Sequence, residues 1–390
     1  MIPKYYILKI HNILYIMLLM CFLFLVGCND TREIDQRTIV IGMGIDKTDD
    51  DLYEVTLQVP ILIGSGTHDA NDVNNDFNTI SGKGEYVWEA ISNIEAKTPT
   101  VLFFGHLKAI TIGETLAREG IDQIIDLLDR RAPLANEVFL LIVRHKNNVK
   151  DFLDNESPLV TLPALYIDRY FSADQKISRT RESRLYQYRR DTNMISGAAM
   201  IPLAYSDEES IYIEDLGIFK DQKLITELVN HEAGISTLLK DENVEHMNYS
   251  LSFPHDDHEL RTSVRVNLKM DYKYDKSNPV EISMDIQGKG ELIFLYPEKE
   301  RASHDTVNVI TKHLEKAITK DIEHTIKKMK KLNIEPWLLG HRMWAFDHNY
   351  FDTLDWDKSG WRNSIIDINV NIEIEQTGQR GMLDKRKIGK

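Results

Sequence analysis

The chain has 390 residues, 47 Lys+Arg against 61 Asp+Glu, and a formal charge of −14. That length predicts two or three domains, and an ordinary 42% hydrophobic content excludes wholesale disorder. The acidic balance argues against a general nucleic-acid binder, which needs a basic face to displace counterions from phosphate. Two cysteines cannot build a disulfide framework, and no Cys/His cluster offers a zinc site.

The N-terminus reads as an address. Lys4, Lys9 and His11 precede an unbroken apolar run from Ile13 to Val26. At about 1.5 Å per residue this run spans about 21 Å, short of a ~30 Å hydrocarbon core. A basic flank before a short apolar run is the layout of a secretory signal peptide. The run closes on Leu25-Val26-Gly27-Cys28, similar to a bacterial lipobox. Gly27 is small enough for a peptidase to approach, and the Cys28 thiol can take a diacylglycerol before cleavage frees its amine for a fatty acyl chain. Cys28 is therefore expected to become an N-palmitoyl, S-diacylglycerol cysteine. Residues 1–27 would be removed, Cys21 among them, and the acyl chains would anchor the remainder. So acidic a remainder is not expected to be drawn to anionic headgroups by charge.

Thr38 to Asp46 reads as a buried strand. Gly42 and Gly44 suggest a dinucleotide fingerprint, but Lys47 stands where its third glycine belongs. The next segment is also a strand, Tyr53 to Val59, across an Asp49-Asp50-Asp51 turn. Residues 63–78 read as a polar loop and 85–97 as a helix. Val101–Phe104 and Leu107–Ile112 are expected as short strands, Leu116–Leu128 as one helix and Val138–Val143 as a buried strand. From Lys146 to Arg190 the chain turns basic, with Arg179, Arg181, Arg184, Arg189 and Arg190 among tyrosines. In an acidic chain this predicts a solvated linker or partner-facing surface and not an RNA site, with a domain boundary nearby.

The pattern restarts at Ile195. Strands are expected at 262–272 and 280–294, then a helix over 307–332, then a half-exposed strand over 365–375. The helix carries lysines on its polar face, which a C-terminal macrodipole favours. The fold class is thus α+β, mixed and antiparallel sheets packed with helices. Its parts would be a signal peptide (1–27), an N-terminal α/β domain (28–190), a C-terminal α+β domain (191–377) and a polar tail (378–390).

No nucleophile elbow, HExxH or phosphate-cradling loop occurs, so neither a catalytic set nor a cofactor is expected. His255-Asp256-Asp257-His258 has some metal-ligand character, but Pro254 and the acids favour a solvated turn. His106 is expected to pack or cap at a strand junction. Trp337, Trp344, Trp356 and Trp361 are expected to close a core or an interface.

In order, several stretches resemble the Ger(x)C family, the lipoprotein C subunits of spore-germination nutrient receptors. They are Cys28–Asp35, Ile39–Lys47, Phe103-Phe104-Gly105-His106-Leu107-Lys108, Leu116–Ile121, Leu216–Leu224, Pro336-Trp337 and Trp361. Two departures stand out: Asn29 where an aromatic is common, and Leu338–Arg342 in place of a more familiar sequence. The resemblance implies a non-enzymatic subunit on the outer face of the spore inner membrane. It also implies integral-membrane A and B partners that bind the small-molecule germinant. A solute-binding lipoprotein of a transporter is the alternative.

Overall fold

The computed structural model describes residues 36–61, 77–130, 137–173, 178–208, 210–297 and 303–376, together with Met17 and Met20. Leu25, Val26, Gly27 and Cys28, most of the expected 63–78 loop and the 378–390 tail lie outside the described residues. Among the described residues no helix is long and apolar enough to cross a membrane.

An eight-stranded mixed sheet organises the first half, in the order β10-β9-β8-β7-β6-β2-β3-β4. Its strands are β2 (Gly42–Lys47), β3 (Tyr53–Pro60), β4 (Phe77–Gly84), β6 (Ala109–Gly113), β7 (Phe139–Val143), β8 (Ala198–Ser206), β9 (Ile211–Lys220) and β10 (Lys223–Leu228). β2, β6, β7 and β8 run parallel, and their neighbours extend the sheet antiparallel on both sides. Beside it, β1 (Arg37–Ile39) pairs with β5 (Val101–Phe103). Both faces are covered, which explains the unbroken Phe-Leu-Leu-Ile-Val of β7. Leu140 and Ile142 pack with α1 (Val87–Glu95), α2 (Glu114–Glu119) and α3 (Asp122–Arg130). Phe139, Leu141 and Val143 pack with α4 (Val149–Asp154) and α5 (Pro163–Ser172) on the other face. Gly44 is glycine because α4 lies on it: a Cβ there would sit 2.3 Å from Val149 Cγ1.

A second, four-stranded sheet follows the order β11 (Asn243–His255), β12 (His258–Asp275), β13 (Glu281–Tyr296), β14 (Ile365–Gln376). One face is dry and the other wet, so β12 alternates Val264, Val266, Leu268 and Met270 inward with Arg265, Asn267, Lys269 and Asp271 outward. β14 lies parallel to β13, and a parallel neighbour requires a crossover. After α7 (His231–Asp241) earlier in the chain, α8 (His304–Leu332) supplies that crossover, burying Ile310, Leu314, Ile318, Ile322, Ile326 and Met329. The class is α+β with mixed sheets packed with helices.

Three expectations are corrected. The sheet does not end near residue 190: β8, β9 and β10 complete it, and Met200 and Ile218 share a core with Leu238, Val264 and Leu314 of the second half. Of the two readings of 146–190, a solvated linker or a partner-facing surface, the linker is overturned: the stretch holds α4, α5 and α6 (Leu185–Asn193). Three of its arginines read as solvated because acids that hold them are remote in sequence. Arg181 meets Asp241 at 3.0 Å, Arg184 meets Glu137 at 2.6 Å, and Arg189 pairs with Asp129. Finally, the single helix expected over 116–128 is two helices, broken where Gly120 takes φ +138°.

Candidate functional site

The second half docks on the sheet through a buried polar joint that no motif announced. α6 ends at a turn in which Ser196 and Gly197 both take positive φ, 78° and 50°, before β8 begins. α8 ends at Asn333, left-handed at its C-cap, and the chain then delivers Glu335 to the Ser196 turn. Glu335 is only 2% exposed. Its carboxylate accepts from Trp337 N (2.7 Å), Gly340 N (3.1 Å) and Ser196 Oγ (3.2 Å), while Trp356 Nε1 donates to Ser196 Oγ at 3.3 Å. Burial pushes the Glu335 pKa up, and the backbone N–H groups and Lys240 oppose that shift. The rings of Trp337, Trp356 and Trp361 close over this point, with centroids 5.8 and 5.7 Å from Trp361. A cleft of about 300 Å³ opens beside them, bounded by Lys220 and Ile225 of the sheet and by Leu332 and Asn333 of α8.

A buried lysine completes the joint. Lys240 and Asp191 are each 3% exposed at the side chain and 3.0 Å apart, and Lys240 Nζ also donates to Pro336 O at 3.1 Å. Burial pulls the Lys240 pKa down to about 8, against the attraction of Asp191. One ammonium thus ties α6, α7 and the 334–340 segment together. The hydroxyl, carboxylate and ammonium all have protein partners, so the chemistry on view is clamping.

The expected site residues behave differently from one another. Cys28, with Leu25, Val26 and Gly27, lies outside the described residues. His106 is exposed, its ring edge-on to Phe103 at 5.8 Å, so it packs without being buried. His255 and His258 do face each other, at 5.9 Å, but across the β11–β12 hairpin tip. Among the described residues no three metal-ligating side chains converge. Three of the four tryptophans cluster; Trp344 stays 43% exposed and stacks on His341. Glu335, Lys240, Asp191 and Ser196 were missed. The available signal was a lone Lys240 closing the apolar run of α7 and a glutamate directly before Pro336-Trp337.

A second polar joint predicts a pH response. His231 Nδ1 lies 2.9 Å from Asp321 Oδ2, which also accepts from Tyr249 OH at 3.1 Å, so α7, α8 and β11 meet there. The Asp321 hydrogen bond raises the His231 pKa above 6.5, with burial opposing. A raised histidine stabilises fully below the unfolded pKa, and that contribution fades as pH rises through the folded one. Warming scans from about pH 5.5 to about 8.5 should therefore show wild type losing more stability than His231→Gln. Parallel curves would show that the pair is thermodynamically silent.

The comparisons fit this two-part build. Residues 30–204 match the family described as "Spore germination protein N-terminal domain". Residues 214–378 match "Spore germination B3/GerAC like, C-terminal". The two together span nearly all of the described fold, and the chain belongs to the Ger(x)C family of spore-germination proteins. It is similar to Spore germination protein KC of Bacillus subtilis (strain 168), 22% identical over 94% of this chain and 96% of that one. It is also similar to Putative spore germination protein YfkR of the same organism, 23% identical over 82% and 84%. The crystal structure of the GerBC protein shares the fold, with a TM-score of 0.50 at 17% identity over 86% of this chain and 97% of that one. The family places the chain among spore germinant-receptor components, and the transporter alternative finds no support among these relatives.

Proposed function

We propose that the chain is the C subunit of a germinant receptor, acylated at Cys28 and held on the outer face of the spore inner membrane. There it assembles with integral-membrane A and B subunits, which bind the small-molecule germinant, and performs no chemistry of its own. The observation that carries this reading is a family match running in order through both halves, directly behind a signal-peptide layout ending at Cys28. The joint supports it from within: its reactive groups are buried and matched to one another, which suits a rigid assembly part. A tether also raises the effective concentration for membrane partners, so weak contacts suffice.

Cys28→Ala is expected to abolish fatty-acid incorporation and to release the protein from spore membranes. Nutrient-triggered germination should fall with it, while triggering by a surfactant persists. Labelled-fatty-acid incorporation, co-purification from spore membranes and germination rates test these points in turn. A variant that keeps its label and its response would overturn the assigned anchor.

A further inference from the structure

The outer ridge of α8 breaks the charge balance of the molecule. Lys312, Lys316, Lys320, Lys327 and Lys331 are all exposed, and with Glu323 they fall within one ~100° arc, opposite the buried stripe. The row is about 28 Å long at 1.5 Å per residue. Among the described residues none of the five makes an ion pair or a side-chain hydrogen bond. Some exposed cations elsewhere do, Arg118 with Glu114, Arg130 with Asp126, Lys276 with Asp347 and Lys289 with Glu375. Lys150, Lys223, Lys269 and Lys273 are exposed and unpaired as well, but among the described residues no other row sets five such lysines on one helix face. The macrodipole accounts for Lys331 in the last turn, but its effect fades within a turn, and Lys312, Lys316 and Lys320 lie further back. A merely solvated face mixes signs, and Glu323 is the lone acid of this row.

The C-terminal end of the ridge, at Lys331, also lies near the end of the molecule at which the described chain enters. The register aligns Gly42 with Ala109 and Ala109 with Phe139, so β2, β6 and β7 begin at one end of the sheet. Ala198 and Lys220 pair at that same end, and Lys220 lines the cleft with Leu332, next to Lys331. Eight peptide steps separate Gln36 from Cys28, a reach of at most about 28 Å.

We propose that the α8 ridge is a docking surface for an anionic lipid bilayer, which sets how the body lies against the membrane. The proposal rests on the Cys28 anchor for its biological setting. Five unpaired lysines in line meet a negative surface with complementary charge, and one acyl-anchored site plus a polybasic patch is a stable pairing of signals. Each lysine near such a surface is worth about a fivefold gain in partition.

The test uses the full-length acylated protein on vesicles of phosphatidylcholine alone and of phosphatidylcholine with phosphatidylglycerol. An amine-reactive reagent and mass spectrometry read each lysine, with Lys269 on the open sheet face as the control. The five ridge lysines should react several-fold more slowly on the anionic vesicles, and added salt should restore their reactivity. Lys316→Glu/Lys320→Glu, at exposed positions, should keep the fold and lose the protection of the other three. Equal reactivity on both vesicles would overturn the proposal. Protection seen only in native spore membranes would overturn it in favour of an acidic protein partner. Flotation with the neutral vesicles reads the anchor separately: a chain floating only with anionic ones would keep the ridge and remove the anchor.

Discussion

Trp361→Ala is expected to cost about 3–5 kcal/mol of stability, the range for removing a buried large aromatic. Trp361 is 1% exposed and touches both Trp337 and Trp356, while Lys330 lies over its ring at 5.3 Å and donates to Ser364 O at 2.5 Å. Removing the indole opens a cavity against backbone fixed by Glu335, so the walls have little freedom to close. Trp344→Ala, at a 43% exposed position, should cost under about 0.5 kcal/mol. Denaturant midpoints with unchanged slopes would measure the pair. Similar losses at both positions would mean that the three-ring cluster is not what holds the second half to the sheet.

That contrast marks where the sequence was legible. The inward alternation Val264, Val266, Leu268, Met270 and the α8 stripe could be read because each obeys one period over many residues. The final strand could be read the same way, although Ile372 alone is fully buried while Ile366, Ile368, Val370 and Ile374 remain partly open beside α8. The joint could not be read, because its parts are separated by up to 160 positions: Ser196 answers Glu335 and Trp356, and Lys240 answers Asp191 and Pro336. The same cause hid the sheet's true extent. Arginine-rich composition marks a linker only when the matching acids are absent, and Asp241 of α7, Asp129 of α3 and Glu137 just before β7 supply them. The lysines on the polar face of α8 read as a helix-end feature; only the contacts separate Lys328, bound to Glu232 at 2.7 Å, and Lys330, donating to Ser364 O, from the five unpaired lysines of the ridge.

Lys240→Met should be nearly as damaging, by up to about 3–5 kcal/mol, because it strands a buried carboxylate. Asp191 keeps Arg190 at 2.8 Å, but that guanidinium is 43% exposed and engages the other oxygen. The loss should therefore fall in the lower part of the range. Lys240→Met/Asp191→Leu, which removes both charges and fills the space with apolar atoms, should recover much of it, giving a coupling of opposite sign to the single losses. The pH dependence supplies a second readout. With the folded pKa of Lys240 pulled to about 8 from 10.5, the unfolded chain holds this proton while the folded one has released it. Unfolding then binds a proton, so this group makes stability rise with pH across that window. Wild type should gain on Lys240→Met as pH climbs through about 8, most plainly below the range where tyrosines ionise. A double variant as unstable as the sum of its singles, with no pH-dependent gap between wild type and Lys240→Met, would show that the ion pair does not join the two halves.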